Sequence, residues 1–114
     1  MISSEAFQTL LQYTKDIHDR ERDKLIKKDV TDTELVLSDL ASLIEEVGEL
    51  GGEVRKQLKL SFNQKKVDAA ELEDVYLEGI DVLICTLLLL RKFPADSLDE
   101  FIIKKIGKND ARGY

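Results

Sequence analysis

The chain has 114 residues, of which 43% are hydrophobic and 35% are charged, a composition typical of a soluble domain built from amphipathic helices. This length accommodates one core, so residues 1–114 are expected to form a single domain. The net charge of −6 argues against a partner that is a nucleic-acid polymer, and the longest uncharged stretch, residues 82–90, is too short for a membrane span of about 20 residues.

The first half of the chain has two predicted helices. The first begins after Ser3 or Ser4, either of which can cap it, and ends at about Lys28. The second covers about residues 34–60, after a turn that offers Asp32 or Thr33 as its cap. Its apolar residues recur at helical spacing and are expected to face the core; they are Leu37, Leu40, Ile44, Val47, Leu50, Val54 and Leu58.

The second half of the chain has two more predicted helices. The third covers about residues 69–92, and its second half is apolar almost all round, which indicates contact on several sides, including another subunit. A short fourth helix covers about residues 98–108, with Asp96 or Ser97 as its cap and a tail after it. Because no segment alternates like a strand, we expect an all-α fold, an antiparallel bundle of about four helices that assembles into a homo-oligomer.

Two acidic clusters lie on the second and third predicted helices. Glu45, Glu46 and Glu49 are three and four residues apart on one helix, and Glu78 and Asp81 are three residues apart on the other. Antiparallel packing of these helices would bring the clusters together, and such carboxylates need protons or a cation to neutralise them. Oxygen ligands without His or Cys suit the hard ions Mg²⁺ or Mn²⁺. The alternative for each cluster is a solvated helix face.

Glycines accompany both acidic clusters, although each costs about 1 kcal/mol relative to alanine inside a helix. They are Gly48, Gly51, Gly52 and Gly79. Because small residues let helices approach closely, we expect these glycines to bring the opposed carboxylates within reach of one cation. The alternative is a local kink or a frayed helix end.

Together the segments Glu45-Glu46-Val-Gly-Glu49 and Glu78-Gly-Ile-Asp81 resemble the EExxE…ExxD signature of the MazG-like all-α nucleoside triphosphate pyrophosphohydrolases. The resemblance extends over most of the chain. It implies a Mg²⁺-dependent enzyme, with Mn²⁺ as a substitute, that hydrolyses (d)NTP to (d)NMP and pyrophosphate, an activity suited to cleaning the nucleotide pool. It also implies a homodimer or a homotetramer built as a dimer of dimers.

The same resemblance assigns roles to the acidic residues. Glu46, Glu49, Glu78 and Asp81 correspond to the metal ligands of the family. Glu45 corresponds to a further ligand or to the residue that orients and deprotonates water, so that Glu45 and Glu49 are the expected catalytic residues. The substrate is a nucleoside triphosphate whose phosphates are carried by the metal.

A basic segment near the C-terminus is a candidate for phosphate binding. Its residues recur on one helix face and comprise Lys105, Lys108, Asn109 and Arg112. Such a face can bind the outer phosphates of a nucleotide, and arginine can do so with two hydrogen bonds. The alternative is a solubilising helix end, where the helix dipole favours cations. The family resemblance favours phosphate contact for Lys105 and Asn109.

Several expectations concern the surroundings of the protein and remain open at this point. The lone Cys85 cannot form an internal disulfide, which favours a reducing, cytoplasmic location. His18 is expected at the surface, and the charges of residues 19–23 are expected to pair within the first helix. Alternatives to the proposed enzyme class are a phosphoribosyl-ATP pyrophosphohydrolase of histidine biosynthesis and a non-enzymatic helical interaction module.

Overall fold

The structure is a computed structural model that describes residues 1–28, 31–58, 69–94 and 97–113. These residues form four helices and no strand, so the prediction of an all-α fold is confirmed for the described part of the chain. The helices are α1 (Ser4–Lys28), α2 (Asp32–Leu58), α3 (Ala69–Leu90) and α4 (Asp99–Ala111).

The helix starts agree with the sequence patterns to within two residues. Ser3 caps α1, because its Oγ accepts a 3.0 Å hydrogen bond from the backbone N–H of Ala6. The predicted caps of α2 were wrong: Thr31 Oγ1 accepts the hydrogen bond from the N–H of Glu34, at 3.2 Å. Asp32 and Thr33 lie in the first turn of the helix instead, where a negative charge at Asp32 is favoured by the helix dipole.

The two C-terminal helices also differ slightly from prediction. α3 ends at Leu90 and a turn over residues 91–93 follows it. Ser97 accepts a 3.1 Å hydrogen bond from the N–H of Asp99 at the start of α4, whereas Asp96 lies outside the described residues. α4 continues to Ala111, so the first part of the predicted tail is helical.

Helices α2 and α3 form the centre of the fold as an antiparallel pair. Asp39, near the start of α2, forms a 2.9 Å ion pair with Lys92, just beyond the end of α3. Further along α2, Glu46 and Glu49 lie beside Glu78, near the middle of α3. Residues later in α2 thus contact residues earlier in α3, which defines the antiparallel arrangement. Helix α1 also packs against α3.

The apolar stripe predicted for the core-facing side of α2 is largely exposed. Leu37, Ile44 and Leu58 retain 58%, 64% and 66% of their accessible surface. The face turned towards α3 instead includes Asp39, which is buried, and Glu46, which is half-buried. The prediction of a core role was therefore wrong for these three residues. Leu50 and Val54 of the predicted stripe are half-buried, as are Val36 and Leu43, which the stripe left out.

The single chain encloses little core. Its accessible surface is 9294 Å², against about 6,300 Å² for a compact monomer of 13.0 kDa. Its radius of gyration is 17.5 Å, where about 13 Å is typical of a compact chain of this length. Leu88 is the one large hydrophobic residue that is buried among the described residues. None of the helices in the described ranges has the length and apolar content needed to cross a membrane.

Candidate metal centre

Three carboxylates from the two central helices meet in one place. Glu46 and Glu49 lie one turn apart on α2, and Glu78 reaches them from α3. Each of the three offers a carboxylate oxygen, and these oxygens lie within 4.8 Å of one another. Glu46 and Glu78 are half-buried and Glu49 is exposed, so the cluster opens to solvent on one side.

The cluster is electrostatically uncompensated. Burial, together with the charges of Glu49 and Asp81, raises the pKa of Glu46 from 4.5 to about 7. Burial and the charge of Glu49 also raise the pKa of Glu78. One oxygen of Glu46 and one of Glu78, in each case Oε2, is buried and has no hydrogen-bond partner within the described ranges. Buried acceptors of this kind are costly unless a proton or a cation satisfies them.

The donor set fits a hard divalent cation. All three groups that converge are carboxylates, and oxygen ligands of this type are those that Mg²⁺ and Mn²⁺ prefer. A cation bound among the three carboxylates would reduce their mutual repulsion. Glu46, Glu49 and Glu78 are therefore the residues that can hold such an ion.

The other two predicted acidic residues lie around the three-carboxylate cluster. Asp81 is exposed on α3, one turn after Glu78, and its charge raises the pKa of both Glu46 and Glu78. Glu45 is exposed on α2 next to Glu46. Cys85 is half-buried nearby, and its pKa is raised by burial and then by the charges of Glu46, Asp81 and other carboxylates, including Glu45.

The glycines do not bring the two central helices together as predicted. A Cβ atom added at Gly48, Gly51, Gly52 or Gly79 would meet no atom within 4 Å. Since these positions have open space beside them, close helix approach within this chain does not require glycine.

The basic residues of α4 are mostly exposed. Lys105, Lys108 and Arg112 are exposed, and Asn109 is half-buried. Lys105 lines an apolar groove of about 520 Å³ that also includes Leu90, at the C-terminal end of α3. Leu90 follows Glu78 by 12 residues, which is about 18 Å along a helix. Lys105 therefore lies near the C-terminal end of α3, apart from Glu78, and a common phosphate and metal site remains a prediction.

A buried charge cluster joins three parts of the fold and was missed in the sequence. The Lys92 side chain is 7% exposed and forms ion pairs with Glu21 of α1 and Asp39 of α2, at 2.5 and 2.9 Å. Burial lowers the pKa of Lys92, but the hydrogen bonds to the two carboxylates outweigh it and the net shift is upward. The signal in the sequence was a basic pair placed directly after the apolar run of α3.

This charge cluster corrects two predictions about α1. Glu21 pairs with Lys92 rather than within its own helix, whereas Asp19 does pair within the helix, with Lys15 at 3.0 Å. His18 is half-buried instead of lying freely at the surface, and its Nδ1 is 3.4 Å from Lys92 Nζ. Burial and the charge of Lys92 lower the pKa of His18.

Arg91 fixes the position of α1 on α3. Its Nη2 donates a 2.9 Å hydrogen bond to the carbonyl oxygen of Leu11, and its Nε donates to Thr14 Oγ1 at 3.2 Å. Thr14 is fully buried at this contact. Helix α1 is thus held by directional polar bonds in addition to apolar packing.

Comparisons with known proteins give no family assignment. No protein-family model, no curated protein and no solved structure matches the chain. The carboxylate geometry is consequently the observation on which a functional proposal has to be built.

Proposed function

We propose that this chain is a Mg²⁺-dependent nucleoside triphosphate pyrophosphohydrolase of the MazG-like type. The observation that supports it best is the meeting of Glu46, Glu49 and Glu78 from two antiparallel helices, where two buried carboxylate oxygens find no hydrogen-bond partner among the described residues. A site of this kind attracts a hard cation, and a hard cation is the usual carrier of nucleotide phosphates.

The proposed reaction is attack of water on the α-phosphorus of a nucleoside triphosphate, which releases the monophosphate and pyrophosphate. Glu46, Glu49 and Glu78 would hold the cation, and Asp81, which is exposed one turn after Glu78, would serve as a further ligand. Glu45, which is exposed beside Glu46, orients the water and accepts its proton. When bound, Mg²⁺ lowers the pKa of a coordinated water and offsets phosphate charge.

The outer phosphates need cations that α2 and α3 do not supply. The proposal assigns this role to Lys105, Lys108, Asn109 and Arg112 of α4. Since Lys105 lines a groove at the far end of α3, these residues would serve the carboxylates of a neighbouring subunit in a homodimer or homotetramer. Assembly is thereby part of the proposed active site.

A substrate panel tests the proposal. The purified protein is incubated with Mg²⁺ and separately with ribo-, deoxyribo- and oxidised nucleoside triphosphates and phosphoribosyl-ATP, and pyrophosphate release is measured. We expect release from at least one nucleoside triphosphate, and none when EDTA replaces Mg²⁺. Turnover of phosphoribosyl-ATP alone would assign the chain to that related activity. Absence of turnover together with absence of any Mg²⁺-dependent change in melting temperature would refute the enzyme.

Single substitutions connect turnover to the carboxylates. Glu49→Gln and Asp81→Asn each remove a charge from the proposed site, and we expect turnover to fall on the order of 100-fold or more. The matched control is Glu53→Gln, one turn further along α2, where the carboxylate pairs with Lys56 at 2.9 Å. The control should retain turnover and all three variants should keep the helical circular dichroism spectrum. An equal loss in the control would contradict the assignment.

A further inference from the structure

Helix α2 has a second apolar side that nothing in the described structure covers. We call it the outer face of α2. Its members recur at three- and four-residue spacing, all are exposed, and they are Leu37, Leu40, Ala41, Ile44, Val47, Gly48, Gly51, Arg55 and Leu58. Arg55 is the charged member of this set. A helix with two apolar sides, one of them turned towards α3, is built to contact two neighbours.

Two glycines on the outer face are unexplained by the single chain. A Cβ at Gly48 or Gly51 would meet no atom of the described residues within 4 Å, so packing among those residues does not require either glycine. Each nevertheless costs about 1 kcal/mol relative to alanine in a helix interior. The cost is recovered if another helix approaches the outer face at these two positions.

We propose that a second copy of this chain covers the outer face, with the two α2 helices antiparallel about a two-fold axis between positions 47 and 48. In this register Val47 lies opposite Gly48 of the other copy, and Ile44 lies opposite Gly51. Leu37 lies opposite Leu58. Each branched side chain near the axis therefore meets a glycine, as close helix packing requires, and the leucines at the two ends meet each other.

The order of residues along α2 is the reason to choose a second copy over an unrelated partner. A two-fold axis demands that one surface be complementary to itself in reverse order. The sequence from Ile44 to Gly51 satisfies this demand, because its large members precede the axis and its glycines follow it. Complementarity to a different protein would not require any such symmetry within one helix.

The exposed apolar area also favours association. The exposed fractions of Leu37, Leu40, Ile44, Val47 and Leu58 range from 40% to 66%. These side chains expose on the order of 500 Å² per copy, at the size of the largest apolar patches of monomeric proteins. A stable interface buries about 800 Å² per partner, so the remaining members and the flanks of α2 have to contribute as well. The inference holds whether or not the chain hydrolyses nucleotides.

A glycine substitution tests the interface without disturbing the monomer. The Cβ of Gly48→Leu meets no atom of the described residues within 4 Å, and leucine is a better helix residue than glycine, so the helical circular dichroism should persist. In sedimentation equilibrium we expect wild type to self-associate and Gly48→Leu to associate at least tenfold more weakly. The control is Gly107→Leu on α4, which also meets open space and should associate like wild type. A monomeric wild type, or unchanged association of Gly48→Leu, would overturn the proposal.

Crosslinking tests the register and direction. In a Cys85→Ser background, Val47→Cys lies beside the axis and should form a disulfide-linked dimer under mild oxidation. Leu58→Cys should not, because the same residue of the partner lies 21 positions away along the helix, about 30 Å, and a disulfide needs Cα atoms within about 7 Å. Parallel pairing would crosslink both variants, and comparable crosslinking of both would therefore overturn the antiparallel arrangement. Turnover by a protein that fails these tests would leave the proposed activity standing.

Discussion

Glu46 is the residue whose surroundings say most about the site. It is half-buried, it faces carboxylates from both central helices, and one of its oxygens has no hydrogen-bond partner in the described part of the chain. These surroundings raise its pKa to about 7. A carboxyl group with this pKa is held in a folded protein at a cost that a bound cation can remove.

The raised pKa predicts how stability depends on pH without metal. The folded protein holds the Glu46 proton up to about pH 7, whereas in the unfolded chain the group ionises near its ordinary value of 4.5. Between these values the folded state binds more protons, so the free energy of unfolding falls as pH rises through this window and then levels off. Melting temperatures measured in EDTA from pH 4 to pH 8 should show this fall.

The substitution Glu46→Gln isolates this contribution. As pH rises from about 4.5 to 7, we expect the free energy of unfolding of wild type to fall relative to that of the variant, because glutamine has no proton to lose. His18, whose lowered pKa makes stability rise with pH, is common to both proteins and cancels in their difference. If the difference in free energy of unfolding between wild type and variant does not change over this pH range, the environment assigned to Glu46 is wrong.

At the scale of single elements, the sequence predicted the helices better than their faces. Helical spacing located α1 to α4 because the apolar rows persist over many turns. The pairing of Glu46 and Glu49 with Glu78 was also foreseeable, since acidic residues one turn apart on antiparallel helices can converge. The core-facing side of α2 was not foreseeable, because two apolar rows compete and local spacing does not say which one meets α3.

Sequence patterns did not predict the long-range polar contacts either. Lys92 contacts Glu21 and Asp39 across sequence separations that no helical rule relates. The prediction that the glycines of α2 bring α2 and α3 together was wrong for a related reason. The sequence shows that glycine is unfavourable inside a helix, but it does not show which neighbour would pack against it. Local patterns thus describe what an element requires and leave open which partner supplies it.

The buried charge cluster around Lys92 gives a prediction about how the helices are held together. Lys92→Met removes the buried cation and leaves two carboxylates facing each other, so the protein should lose about 3 kcal/mol of stability in urea unfolding. The matched control is Lys56→Met, which breaks an ion pair whose lysine is 71% exposed and should leave stability nearly unchanged. An equal loss of stability in the two variants would show that the buried charge cluster does not hold α1 and α2 to α3.

At the scale of the whole molecule, the excess of surface over core is the dominant feature. An accessible surface of 9294 Å² on a 13.0 kDa chain leaves the apolar sides of three helices without cover. The exposed residues include Tyr76 of α3 and Ile103 of α4 as well as the outer face of α2. Hydrophobic stabilisation scales with area removed from water, so a single chain of this shape forgoes much of it.

The proposed self-association makes stability depend on protein concentration. If the folded state is a dimer, each tenfold increase in concentration contributes about 1.4 kcal/mol per dimer. The midpoint of thermal unfolding should therefore rise from micromolar to millimolar protein for wild type and less steeply for Gly48→Leu. A midpoint independent of concentration in wild type would contradict association of the folded chain.

The single cysteine has a consequence of its own. Cys85 is half-buried near the acidic cluster, and its pKa is raised by burial and by the charges of Glu46 and Asp81. Since the thiolate is the reactive form, this thiol resists alkylation and oxidation as long as the carboxylates around it are charged. A cation that neutralises those carboxylates also removes part of this protection. The chain thus carries an internal chemical reporter, and its reactivity follows the charge state of the acidic cluster.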